Sequence, residues 1–173
     1  MRRTLAQPIS LEEHAWGRFD AWVTLVEYGD YECHGTRQAQ QAVRGLLREF
    51  GDRLLFVFRH FPQPDIHPHA RLAAAAAEAA AAQGEFWGMH EYLLDHDEPL
   101  EATSLRRQVT ASGLDVERFD FDRTSAYTTA RIDRDLASGR RSGVARTPTF
   151  YINGRRYDGP HDVELRAALR SCR

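Results

Sequence analysis

Residues 23–28, Val-Thr-Leu-Val-Glu-Tyr, are β-branched and apolar, and predict a buried strand that Gly29-Asp30 breaks. From Thr36 to Phe50 the apolar positions Ala39, Ala42, Val43, Leu46, Leu47 and Phe50 recur at helical spacing, and Gly51-Asp52 ends the run. Leu54 to Arg59, Leu-Leu-Phe-Val-Phe-Arg, predicts a second strand. Two strands joined by a helix of this length form a βαβ unit, hence a parallel pair with a right-handed crossover.

Phe61-Pro62-Gln63-Pro64 reads as a stiff loop, followed by an alanine-rich helix over His69 to Ala82 that Gly84 stops. Glu85 to His96, Leu105 to Ser112, Val116 to Arg123 and Ser125 to Gly139 continue the helical pattern, with no strand expected between His67 and Arg141. Strands return at Thr149-Phe150-Tyr151-Ile152. Asn153-Gly154 is a hairpin signal, and Arg155 to Asp158 is the returning strand. Gly159-Pro160 breaks it, and Val163 to Leu169 predicts a terminal helix. The order is β-α-β, a helical block, then β-β-α. We read residues 1–173 as a single α/β domain, in which the block at about 67–141 is an insertion covering one face of the sheet.

Composition and charge narrow the class. With 42% apolar and 28% charged residues, the 173-residue chain has enough apolar material for a sizeable core. A formal net charge of -2 gives no electrostatic case for nucleic acid or an anionic membrane. No apolar run approaches the roughly 18 residues of a membrane span. The stretch Met1 to Pro8 is basic but lacks an apolar core, so no signal peptide is expected. Cys33 and Cys172 are the two cysteines. That is no disulfide scaffold, and it predicts a reducing, cytoplasmic setting.

Cys33 falls where the first crossover helix begins. Unpaired N–H groups and the helix dipole favour a thiolate there. The alternative is an inert, small core residue. Thr36 is one helical turn on, so its hydroxyl can face the sulfur and donate a hydrogen bond, but it cannot form a disulfide. Threonine there is also what would remain if a catalytic cysteine had been lost and its space filled. His34 can raise the local positive potential when protonated, although adjacent helical residues point apart and a solvated imidazole suits it better. Gly35 gives backbone access. His60, His67, His69 and His90 are not at metal-ligand spacing, and structural or solvent-facing roles are expected.

Four stretches in order carry a resemblance. Val23 through Cys33, Phe58-Arg59-His60-Phe61-Pro62 with His67-Pro68-His69-Ala70, Gln83 through His90, and Gly143 through Phe150 with Ile152-Asn153-Gly154 together cover most of the chain. They resemble the DsbA-like thiol-disulfide oxidoreductases, a thioredoxin-like fold with βαβ and ββα halves around a central mixed sheet and an all-helical insertion. The departure is at the motif, where the family's usual dithiol is replaced by Cys33-His34-Gly35-Thr36. The resemblance implies a cis Thr147-Pro148 bond against Cys33, with exposed backbone that pairs with a substrate chain. It also implies an acidic group beneath the cysteine, for which Glu27 is the candidate, although alternation along this strand does not settle which way its side chain points. In this fold the last helix runs away from the site, which places Cys172 about 15 Å along for a ten-residue helix.

Three functions compete. The favoured one is a monothiol oxidoreductase: Cys33, Thr36 and His34 are the catalytic candidates, and Thr147, Pro148 and Gly35 bind substrate. Its partners are protein or small-molecule disulfides, with glutathione as the resolving co-substrate and no metal. The second is a catalytically silent protein-binding module that keeps the groove by Pro148. The third is a glutathione-transferase-like enzyme. Cys33 reactivity separates the first two, and glutathione binding with a non-disulfide electrophile marks the third.

Overall fold

The computed structural model describes residues 4–95 and 100–172. Met1 to Arg3 and His96, which the readings above included, lie outside the described residues. In chain order the elements are β1 (His14–Trp16), β2 (Val23–Gly29), α1 (His34–Phe50), β3 (Leu54–His60), α2 (Ala70–Ala81), α3 (Phe86–Asp95), α4 (Ala102–Ala111), α5 (Val116–Arg123), α6 (Ala126–Ser142), β4 (Thr149–Ile152), β5 (Arg155–Tyr157) and α7 (Val163–Ser171). The strands form one sheet in the order β1-β3-β2-β4-β5. β2 and β3 are parallel, as the βαβ pattern requires, and the other pairings are antiparallel.

Each face of the sheet has its own core. On one, Val23, Leu25, Phe56 and Phe58 pack with Ala39, Val43 and Leu46 of α1 and Leu165 and Leu169 of α7. On the other, Val26, Tyr28, Leu55 and Val57 meet Ile132 and Leu136 of α6. Because β2 and β3 are buried on both faces, they read as near-continuous apolar runs rather than alternating ones. The helical block was expected on one face, but it reaches both. Ala73, Ala76 and Ala77 of α2 join the first core, while Ala74 and α6 close the second. Alanine makes this possible, because so small a side chain lets one helix lie against neighbours on several sides.

β1 was not expected. It pairs antiparallel with β3, His14 opposite Phe58. The residues before it are pinned by Arg59, whose guanidinium pairs with buried Glu13 at 2.7 Å and donates to the carbonyls of Gln7 and Pro8 and to the Tyr28 hydroxyl.

Candidate functional site

The site forms where β2 runs out. Asp30 organises the turn: its carbonyl accepts from Cys33 N, and its Oδ1 accepts from Glu32 N. Its Oδ2 takes the Gln63 N–H at 2.9 Å and His67 Nδ1 at 2.9 Å, tying the loop after β3 to the same turn. Cys33 is then the N-cap of α1, with extended backbone and no side-chain cap bond. Half-buried Cys33 sits at the open N-terminus of a 17-residue helix.

The loop before β4 closes the other side. The Thr147–Pro148 peptide bond is cis. Cys33 Sγ donates to the Thr147 carbonyl at 3.2 Å, and Thr147 Oγ1 donates to Gln63 Oε1 at 3.3 Å. Gly35 permits this approach, since a Cβ there would stand 2.9 Å from Pro148 Cδ. Cys33, Gly35, Thr147 and Pro148 thus come together. A cleft of about 490 Å³ opens beside them, walled also by Gln38, Arg146 and His161.

Two of the expected site residues stand apart. His34 is exposed. Thr36 is buried, and its hydroxyl accepts from the Asp30 N–H at 3.3 Å. Gly29 leaves room chiefly for the Phe58 ring, 2.3 Å from where its Cβ would stand, with Thr36 Cγ2 next at 3.2 Å.

Glu27 gains a direction. It shares the face of Leu25, whose side chain packs in the α1 core. Glu27 is fully buried, Oε1 has no hydrogen-bond partner, and burial pushes its pKa up to about 8. Cys172, by contrast, lines a cavity with Trp22, Val23 and Phe50, at the end of the sheet where β2 begins. Seven strand residues separate that end from the site, roughly 20 Å.

The histidines are structural partners. His69 Nδ1 donates to Glu32, and buried His90 bonds the Tyr31 hydroxyl, with burial lowering its pKa to about 3. His60 and His14 both donate to Glu78 Oε1, at 2.8 and 2.6 Å. These three residues are the described group whose donor atoms could approach a metal ion. Arg131 Nε, 3.5 Å from the same oxygen, already supplies a cation. Burial alone would raise the Glu78 pKa, but the two imidazole bonds outweigh it and hold it at about 2. Sequence reasoning missed Asp30, Gln63 and His14. An aspartate just after a strand is a turn signal that could have flagged the first.

The family model described as thioredoxin matches residues 10–170. Among curated relatives, the Na(+)/H(+) antiporter NhaA 3 of Salinispora tropica is 44% identical over 161 residues, covering 92% of this chain and 24% of that protein. The Na(+)/H(+) antiporter NhaA 1 of Mycolicibacterium vanbaalenii is 42% identical over 162 residues, covering 92% and 26%. The chain therefore spans about a quarter of the length of these relatives. No helix among the described residues is long and apolar enough to cross a membrane. A thioredoxin-like oxidoreductase from Silicibacter pomeroyi superposes with a TM-score of 0.83 at 27% identity, covering 93% of this chain and 92% of that one. BdbD from Bacillus subtilis gives 0.83 at 22% identity, covering 98% and 97%, a likeness of fold.

Proposed function

The chain belongs to the thioredoxin family and has a DsbA-like fold, and from that premise we propose that it is a thiol-disulfide oxidoreductase working through Cys33 alone. The observation that carries this reading is half-buried Cys33 at a helix N-terminus, its sulfur 3.2 Å from the carbonyl of Thr147, a residue on the wall of an open cleft.

In the first step the Cys33 thiolate attacks one sulfur of a substrate disulfide. A Cys33–substrate mixed disulfide forms, and the other sulfur leaves as a thiolate that takes up a proton. A glutathione thiolate then attacks the Cys33 sulfur and releases the substrate thiol. A second glutathione attacks the sulfur of the one now held on Cys33, regenerating Cys33 and forming glutathione disulfide. One substrate disulfide is reduced and two glutathiones are oxidised. The Thr147 backbone lines up the substrate chain beside the sulfur. Glu27, neutral below about pH 8, can hold a proton on the α1 side of the sheet. A two-cysteine composition suits a reducing cytosol, where that thiol pool is available.

The test uses the Cys172→Ser chain, incubated with glutathione disulfide and read by intact mass. A single glutathione adduct on Cys33, released by excess glutathione, supports the reading. An inert Cys33 in the native chain, reactive only in denaturant, overturns it.

The identity to parts of Na(+)/H(+) antiporters favours a second reading, in which the same groove docks on a membrane transport protein without turnover. Exchange activity of such an antiporter in vesicles, with and without this chain, tests it. An effect that survives Cys33→Ser supports docking, and no effect removes it.

A further inference from the structure

We propose that the cleft beside Cys33 is a carboxylate subsite in which Arg146 selects the substrate, so that the preferred disulfides carry an acidic group close to the reacting sulfur. This rests on the oxidoreductase reading above and names its substrate class.

The cleft lies next to Cys33, with Gly35, Thr147 and Pro148 between them. Gly35, on its wall, would place a Cβ 3.7 Å from Cys33 Sγ, and Pro148 forms the adjoining wall. Its volume of about 490 Å³ is enough for a peptide of a few residues. The polar groups on the wall divide sharply. Asp158 Oδ1 takes Arg156 Nε at 2.7 Å, Arg156 also donates to the Gly143 carbonyl, and the Tyr157 hydroxyl donates to the Pro160 carbonyl, while Asp162 accepts only the Glu164 N–H and has no ion-pair partner among the described residues. Gln38, Arg146 and His161 are uncommitted, with no side-chain hydrogen bond or ion pair among the described residues.

Of these three, one carries a fixed charge. Burial, reinforced by Arg146, lowers the His161 pKa and keeps its imidazole neutral near pH 7, and Gln38 is neutral. The wall thus offers one cation without an ion-pair partner, Arg146, with two neutral hydrogen-bonding groups and the Asp162 carboxylate beside it, so an incoming carboxylate has Arg146 as its one available cationic partner on this wall. A guanidinium presents parallel N–H donors that match a carboxylate in a bidentate pair. Arg146 stands one residue before Thr147, whose carbonyl touches the sulfur, so the charge and the reacting atom belong to the same short loop.

The experiment compares second-order rates of mixed-disulfide formation on Cys33 in the Cys172→Ser chain. Glutathione disulfide is the acidic probe, bis(2-hydroxyethyl) disulfide the neutral one and cystamine the cationic one, with iodoacetamide reporting whether the thiol is accessible. Rates should fall in the order acidic, neutral, cationic. Arg146→Ala should cut the ratio of acidic to neutral rates by about two- to fivefold, the scale of an exposed ion pair, and Arg146→Lys should restore part of it. Arg146 is exposed, so the substitutions spare the core. A thiol that reacts with all four reagents at ratios indifferent to Arg146 overturns the subsite and leaves the oxidoreductase reading standing. A thiol silent toward all four overturns that reading, and the subsite with it.

Discussion

The buried Thr36 hydroxyl accepts a hydrogen bond from the Asp30 N–H at 3.3 Å. The position where a dithiol motif has its second cysteine is therefore occupied by a group that braces the turn. Thr36→Cys should put a second thiol one helical turn from Cys33. Mild oxidation should then give an internal disulfide, seen as a two-hydrogen mass loss, and mixed disulfides at Cys33 should become short-lived. Persistent mixed disulfides with no internal bond would show that the packing of residue 36 against the Asp30 turn holds it out of reach.

Gly35→Ala tests the closeness of the two loops. Its Cβ would stand 2.9 Å from Pro148 Cδ, so one loop has to give. The expected cost is about 1–3 kcal/mol in urea unfolding, typical of overpacking, with slower mixed-disulfide formation at Cys33. Wild-type rate and stability together would mean that Pro148 moves away at no cost.

Glu27 should shape stability at neutral and alkaline pH. Its folded pKa is raised to about 8 from the usual 4.5. Such a group contributes fully below about pH 4.5, and its contribution is lost as the pH rises toward about 8. Glu27→Gln should therefore be the more stable protein at pH 8, by on the order of 2–4 kcal/mol, with the gap closing toward pH 5. Parallel stability curves for the two proteins would contradict the burial of an unpaired carboxyl.

Glu78 has the opposite sign. Held at about 2, it contributes above the usual value near 4.5, and the contribution falls away as acid carries the pH down toward about 2. Glu78→Ala strands Arg131, His14 and His60 around a lost counter-charge. A loss of about 3–5 kcal/mol at pH 7 is expected by chemical denaturation, the usual cost of breaking a buried pair. A loss below about 1 kcal/mol would mean that water replaces the carboxylate freely.

Much of this was legible from local pattern. Helical spacing from Thr36 to Phe50 and the Asn153-Gly154 turn are short-range signals, and α1 and the β4–β5 hairpin follow them closely. What escaped notice depends on long-range partners. His14-Ala15-Trp16 carries no strand signal of its own and becomes β1 by pairing with β3. The Glu78 network joins residues 64 positions apart. The side-chain direction of Glu27 was unreadable because β2 is apolar on both faces and shows no alternation. Cys33, Gly35, Thr147 and Pro148 stood out individually, but that the Thr36 hydroxyl takes the Asp30 N–H depends on how the start of α1 packs against the turn after β2.

The position of Cys172 at the far end of the sheet has a kinetic consequence. A second thiol held within the same fold acts at a fixed effective concentration, independent of its surroundings. Cys172 supplies Cys33 with almost none of that concentration, so under the proposed single-cysteine cycle each return of Cys33 to its free form is a bimolecular event. Under that cycle the lifetime of a captured partner follows the abundance of small thiols around the protein, and the dwell time of the adduct becomes a gauge of that pool.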